Sequence, residues 1–147
     1  MKKLMMSLLS GVSIVLINGC GGGSSDSYVS EVTYYLQTYN AIADTYEGVD
    51  DVYYECGPDI VGYTGEFGMS GSFSMIEGDT CTFYDLDNTL SYEIDTLYIG
   101  LDASGESAVS PTSYNCYSGE VGITDDLGAF IFDPYVLTSG DICEFNF

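Results

Sequence analysis

Two stretches, Tyr54–Phe83 (YECGPDIVGYTGEFGMSGSFSMIEGDTCTF) and Tyr114–Phe145 (YNCYSGEVGITDDLGAFIFDPYVLTSGDICEF), carry the same residues in the same order and decide the fold. Tyr54, Cys56, Gly62, Thr64, Gly71, Phe73, Gly78, Asp79, Cys81 and Phe83 answer to Tyr114, Cys116, Gly122, Thr124, Gly128, Phe130, Gly140, Asp141, Cys143 and Phe145. The first copy holds three more residues before Gly71 and the second holds five more between Phe130 and Gly140. Both differences fall where turns are expected, and loops tolerate changes of length. Upstream, Thr33–Leu36 and Thr96–Ile99 read as the opening strand of each copy.

In a strand, side chains two apart share a face, so Tyr54 stands beside Cys56 and Phe83 beside Cys81, as Tyr114 does beside Cys116 and Phe145 beside Cys143. That pattern pairs Cys56 with Cys81 and Cys116 with Cys143, joining the first and last strands of each copy through its core. Each closure is worth roughly 3.5 kcal/mol on the chain-entropy argument. Setting Cys20 aside, the four remaining cysteines of an exported chain read as two disulfides, and zinc would want close CxxC pairs that are missing here. The rest of each copy reads as a hairpin. Gly71–Ile76 alternates around Phe73 and Met75, and Gly128–Phe132 around Phe130 and Phe132, with Ser or Ala facing outward at the start. Thr124–Gly128 is the turn, with Asp to start it and Gly to close it.

The resulting expectation is an all-β chain of two tandem, small β-sandwich-like units, 33–90 and 91–147, each with one internal disulfide. Tyr, Thr, Val, Ile and Phe with frequent Gly and Ser favour short strands. Residues 28–46 fit two readings. Val29, Val32, Leu36, Tyr39, Ala43 and Tyr46 have the spacing of an amphipathic helix, while the repeat aligns their centre with a strand. The repeat also leaves open whether the units form one sandwich or two beads.

At the other end, Lys2, Lys3 and the apolar run Leu4–Ile17 read as a signal peptide over residues 1–19, too short to span a bilayer comfortably. Ile17, Asn18, Gly19 and Cys20 resemble the lipobox of bacterial lipoproteins, which implies a palmitate-type lipid on Cys20. Gly21–Ser27 is a Gly/Ser tether with a reach of roughly 15 Å, so that residues 20–32 hold the domain just off a membrane. The expected location is an outer-membrane lipid anchor, on the periplasmic or the cell-surface face.

The chain carries two Lys or Arg and no His against 23 Asp or Glu. Both cations lie in the signal segment, so residues 20–147 hold no Lys, Arg or His at all. Salt bridges between side chains are ruled out there, and so is nucleic acid as a partner, since phosphate binding rests on Lys and Arg. The aromatic share of 14% argues for a folded core rather than a disordered acidic chain.

Gly122, Thr124, Asp125, Gly128 and Phe130, in the order G-x-T-D-x-x-G-x-F, resemble the signature of carboxypeptidase regulatory-like and Cna B-type modules, which are transthyretin-like (prealbumin/Ig-like) β-sandwiches. The GDxCxF ending is similar to bacterial surface lipoproteins with such units in tandem. The resemblance spans 33–147; in the first copy Gly65 stands where the motif has Asp. It implies a structural or adhesive module rather than an enzyme.

The candidate site residues are acids: Asp50 with Asp51, Asp85 with Asp87 and Asn88, and Asp125 with Asp126 and Asp133. Calcium takes six to eight oxygens, so Asp85, Asp87, Asp125 and Asp126 are the candidate calcium ligands, although their spacing does not match an EF-hand. The bland alternative is a solvated acidic surface. Catalysis is not expected, because no His or Lys stands ready to take a serine's proton and the cysteines are committed. Two functions follow. One is a surface module that contacts a protein or glycan through exposed tyrosines. The other is an electrostatic binder or inhibitor of a cationic protein or peptide.

Overall fold

The computed structural model describes residues 30–109 and 111–147; the signal-peptide and Cys20 assignments lie outside them. The described chain contains eleven strands and no helix. In order they are β1 (Glu31–Asn40), β2 (Thr45–Gly48), β3 (Tyr53–Cys56), β4 (Ile60–Tyr63), β5 (Ser72–Ile76), β6 (Thr80–Leu86), β7 (Thr96–Gly100), β8 (Ser113–Cys116), β9 (Val121–Ile123), β10 (Ala129–Ile131) and β11 (Asp141–Asn146). All pairings are antiparallel.

One sheet runs β10-β7-β1-β2, with β5 also paired to β1, and the other runs β4-β3-β6-β11-β8-β9. The two are packed face to face over one core. Its centre is aromatic: Phe73 from the first sheet meets Phe83 of the second at 4.9 Å, and Phe130 meets Phe145 at 4.7 Å, both edge to face. That is the geometry ring quadrupoles prefer.

Each repeat gives strands to both sheets, and the sheets run unbroken from one repeat into the other. Leu36 of β1 lies opposite its counterpart Ile99 of β7, and Thr82 of β6 lies opposite its counterpart Glu144 of β11. Equivalent residues facing one another in antiparallel strands define an approximate two-fold axis through both sheets. The open question of one sandwich or two beads therefore resolves to one sandwich built from two repeats.

The inner face of the larger sheet shows why the motif residues recur. One row reads Gly62, Tyr54, Phe83, Cys143, Cys116, and the next reads Ile60, Cys56, Cys81, Phe145, Tyr114, Gly122. Cys56–Cys81 and Cys116–Cys143 are bonded as the spacing implied. Each bond joins directly opposed neighbours of one sheet, with Cα atoms 4.1 and 4.0 Å apart, and does not reach from sheet to sheet. Gly62 and Gly122 are bare because the Tyr54 and Tyr114 rings lie across them. Each hydroxyl then accepts a backbone N–H from the opposite sheet, Ser74 at 3.2 Å and Ile131 at 3.3 Å. A buried tyrosine thereby pins the two layers together in each repeat.

Two local expectations change. Residues 60–76 and 121–131 are not hairpins: β4 pairs with β3 and β9 with β8, whereas β5 pairs with β1 and β10 with β7. The intervening turns carry the chain across the core from one sheet to the other. Gly71 and Gly128 end those crossings at φ of 74° and 79°, and a Cβ on either would overlap the carbonyl oxygen of Leu36 or Ile99. Ser72, expected to face outward, is buried. Residues 28–46 take the strand reading from residue 31 onward, as β1, a turn and β2. Asn40 Oδ1 accepts the backbone N–H groups of Ile42 and Ala43 to make that turn. Gly128→Ala should cost about 2 kcal/mol or more, because a positive φ and a backbone overlap fall on the same residue. Urea denaturation of the variant measures it.

Candidate functional site

The carboxylates have no cationic side chain to answer them within residues 30–147, and the structure shows what replaces one. Five tyrosine hydroxyls donate to them: Tyr39 to Asp44 at 2.6 Å, Tyr53 and Tyr84 to the two oxygens of Glu55 at 2.9 and 3.0 Å, Tyr92 to Glu47 at 3.1 Å, and Tyr98 to Glu93 at 3.2 Å. Bonds to an ionised acceptor are stronger than neutral ones. Each also holds a ring in one orientation.

Four of these pairs gather into two tyrosine clusters, and Tyr92–Glu47 stands outside them. On the outer face of the larger sheet, Tyr53 touches Tyr63 and Tyr84, with centroids 5.4 Å away in both cases and Glu55 between the hydroxyls of Tyr53 and Tyr84. On the smaller sheet, Tyr39 and Tyr46 are cross-strand partners in the β1–β2 hairpin, and Tyr98 comes in from β7. Their centroids lie 5.1 Å (Tyr39–Tyr46), 5.1 Å (Tyr46–Tyr98) and 6.5 Å (Tyr39–Tyr98) apart.

This second cluster floors a groove of about 690 Å³ whose rim carries Asp44, Glu93, Glu106, Ser104 and Leu127. The loop after β7 forms one wall and is held tightly. Asp102 Oδ1 accepts the Ser104 N–H at 2.9 Å, and the buried Gln37 side chain donates to the Asp102 carbonyl at 3.0 Å. Gly105, at φ 72°, lets this loop lie against the Tyr46 ring, where any Cβ would collide.

Acid and aromatic act on each other. The hydrogen bond to Asp44 raises the Tyr39 pKa, and those to Glu55 and Glu47 do the same for Tyr53 and Tyr92. Burial is the first cause for Tyr46, Tyr84 and Tyr98, and Tyr98, facing Glu93, is raised well beyond the ordinary range. Since the folded pKa values exceed the unfolded one, the associated stability is whole below about pH 10 and is lost as pH climbs above it. Alkaline titration should show tyrosinate absorbance rising late and together with unfolding.

The acids singled out from sequence fare differently. Asp50 accepts the Gly71 N–H at 2.6 Å, Asp87 the Thr89 N–H at 2.8 Å, Asp125 those of Leu127 and Ala129 at 2.8 and 2.9 Å, and Asp133 that of Tyr135 at 2.9 Å. Asp85 and Asp126 are exposed. Asp85, Asp87, Asp125 and Asp126 are not brought together as a calcium cradle. Among the described residues the metal-type atoms that converge are those of Cys116, Asp141 and Cys143, and two of these are sulfurs of one disulfide. Asp141 is buried and takes the N–H groups of Ser118, Asp133 and Ile142 and the Ser118 hydroxyl, whereas its counterpart Asp79 keeps Oδ2 buried with no hydrogen-bond partner among the described residues.

Sequence reasoning did not pick out the groove. Tyr39 and Tyr46 were visible only as members of a seven-residue spacing, and Asn40 and Asp44 between them were the turn signal that would have paired them. No protein-family model, no curated protein and no solved structure matches the chain.

Proposed function

We propose that this chain is a lipid-anchored, non-catalytic surface module that makes structural or adhesive contacts through its tyrosine clusters. The observation that carries this reading is the set of tyrosine–carboxylate bonds, of which those of Tyr39, Tyr53 and Tyr84 hold partly exposed rings in place on the two sheets. Tyrosine offers apolar area and a hydroxyl at small entropic cost, the combination that suits binding surfaces. The lipobox at Cys20, the tether after it and the resemblance to tandem Cna B-type modules support an anchored, displayed domain, on the periplasmic or cell-surface side of an outer membrane. A Cys20→Ala chain should leave the membrane fraction. Cells displaying the native chain should keep their adhesion in high salt and lose it on Tyr53→Ser with Tyr63→Ser. Adhesion unchanged by those substitutions would remove the outer face of the larger sheet from the account.

The acid-rimmed groove favours a second reading, capture of a cationic protein or peptide. A partner bringing positive charge would relieve repulsion that the folded chain cannot relieve itself. Salt should do so in part: the melting temperature is expected to rise by several degrees between low-salt and seawater-like buffer, as screening shortens the range of the repulsion. An identical melting curve in both would contradict it.

A further inference from the structure

We infer that the groove over Tyr39, Tyr46 and Tyr98 is a recognition site for an arginine side chain presented by a polypeptide; this rests on the second reading above and names its ligand. Three features select the chemistry. Charge comes first: Asp44, Glu93 and Glu106 stand on the rim, and no Lys, Arg or His exists in residues 20–147 to neutralise them from within.

Shape comes second. With Tyr39 and Tyr46 centroids 5.1 Å apart, and Tyr46 and Tyr98 also 5.1 Å apart, the rings touch one another and leave no room for an ion between them. Their planes are tilted by 49°, 82° and 64° to one another, so they make no cage; with Tyr98 buried and Gly105 set against Tyr46, the half-buried Tyr39 is the ring that offers area to the groove. A rounded quaternary ammonium gains most when rings surround it, whereas a flat guanidinium stacks on a single exposed face.

Donor count is third. Asp44 Oδ1 and Glu93 Oε2 each accept one tyrosine hydroxyl, and a carboxylate can accept further bonds at both oxygens. A guanidinium carries five N–H donors to fill those positions, and a quaternary ammonium carries none. In free arginine the α-ammonium and α-carboxylate offset each other, whereas a polypeptide presents the guanidinium without either group and can bring a second cation to the remaining rim acids.

The test uses the full-length chain in detergent at near-physiological salt, with three probes: acetylated tetra-arginine amide, acetylated tetra-lysine amide and tetramethylammonium. Tetra-arginine should bind about fivefold more tightly than tetra-lysine, the size of one exposed cation–ring contact. Tetramethylammonium should not displace it. Glu93→Gln and Tyr39→Ser should each lose several-fold in affinity, Tyr39→Phe should keep most of it, and Asp59→Asn in the exposed β3–β4 turn of the larger sheet should change nothing.

Ring resonances provide a check that needs no variant: those of Tyr39, Tyr46 and Tyr98 should move with tetra-arginine, while those of Tyr53, Tyr63 and Tyr84 stay still. Equal binding of the two peptides, variants that bind like the native chain, or movement confined to the Tyr53 cluster would each overturn the assignment in favour of diffuse attraction. Absence of binding by either peptide even at low salt would instead sink the cation-capture reading itself.

Discussion

Replacing Cys56 and Cys81 together by Ala should lower stability by about 3.5 kcal/mol, and replacing Cys116 and Cys143 as well should leave a chain that no longer folds cooperatively. The two bonds close loops of similar size, with partners 25 and 27 residues apart, so their entropic contributions are close to equal. Together they amount to about 7 kcal/mol, comparable with the whole stability of an ordinary domain. The folded part leans on them because residues 20–147 hold no cationic side chain for an ion pair and a dense negative charge opposes compaction. Each bond also fixes register. A one-residue slip of β6 against β3 would turn Cys81 and Phe83 out of the core, and the bond to Cys56 forbids it. Denaturant titration with and without reductant measures this. A fully substituted chain with an unshifted midpoint would show that packing alone suffices.

Phe145→Ala is expected to cost about 4 kcal/mol, the upper part of the range for a buried aromatic. Its ring is wholly buried and meets Phe83, Tyr114, Phe130 and Phe147. Phe83 and Phe145 come from different repeats and touch at 5.7 Å beside the two-fold axis, so the truncation opens a cavity where the repeats meet. The loss should therefore be felt in both halves. Hydrogen exchange should accelerate in β3 as well as in β8, and exchange confined to β8 and its neighbours would mean that the repeats unfold separately.

Much of this architecture was legible in the sequence, for a definite reason. Period-two spacing of Tyr54 with Cys56, and of Cys81 with Phe83, places residues on faces, and a second copy of the spacing removes the ambiguity of pairing. Phe73, Met75, Phe130 and Phe132 are buried as the alternation implied. Alternation does not say which sheet a strand joins, however. That is why Gly71–Ile76 looked like the return arm of a hairpin while its partner is β1. Ser72 was assigned outward by polarity alone, and the crossing at Gly71 tucks it in. The groove was harder still. Tyr39 and Tyr46 are joined by a turn, but Tyr98 lies a repeat away, and no local pattern announces that β1 and β7 will lie side by side.

The placement of β1 has a mechanical consequence if the chain is anchored as proposed above. It is the first strand among the described residues, and it is bonded along one edge to β5 and β2 and along the other to β7. Tension arriving through the preceding segment pulls along the length of β1, so the hydrogen bonds on both edges are loaded in shear and must rupture together. A terminal hairpin pulled from its end would open its rungs one by one; here the load meets the β5 edge along Glu31–Tyr35 first and then the stretch Tyr35–Gln37 that is bonded on both sides.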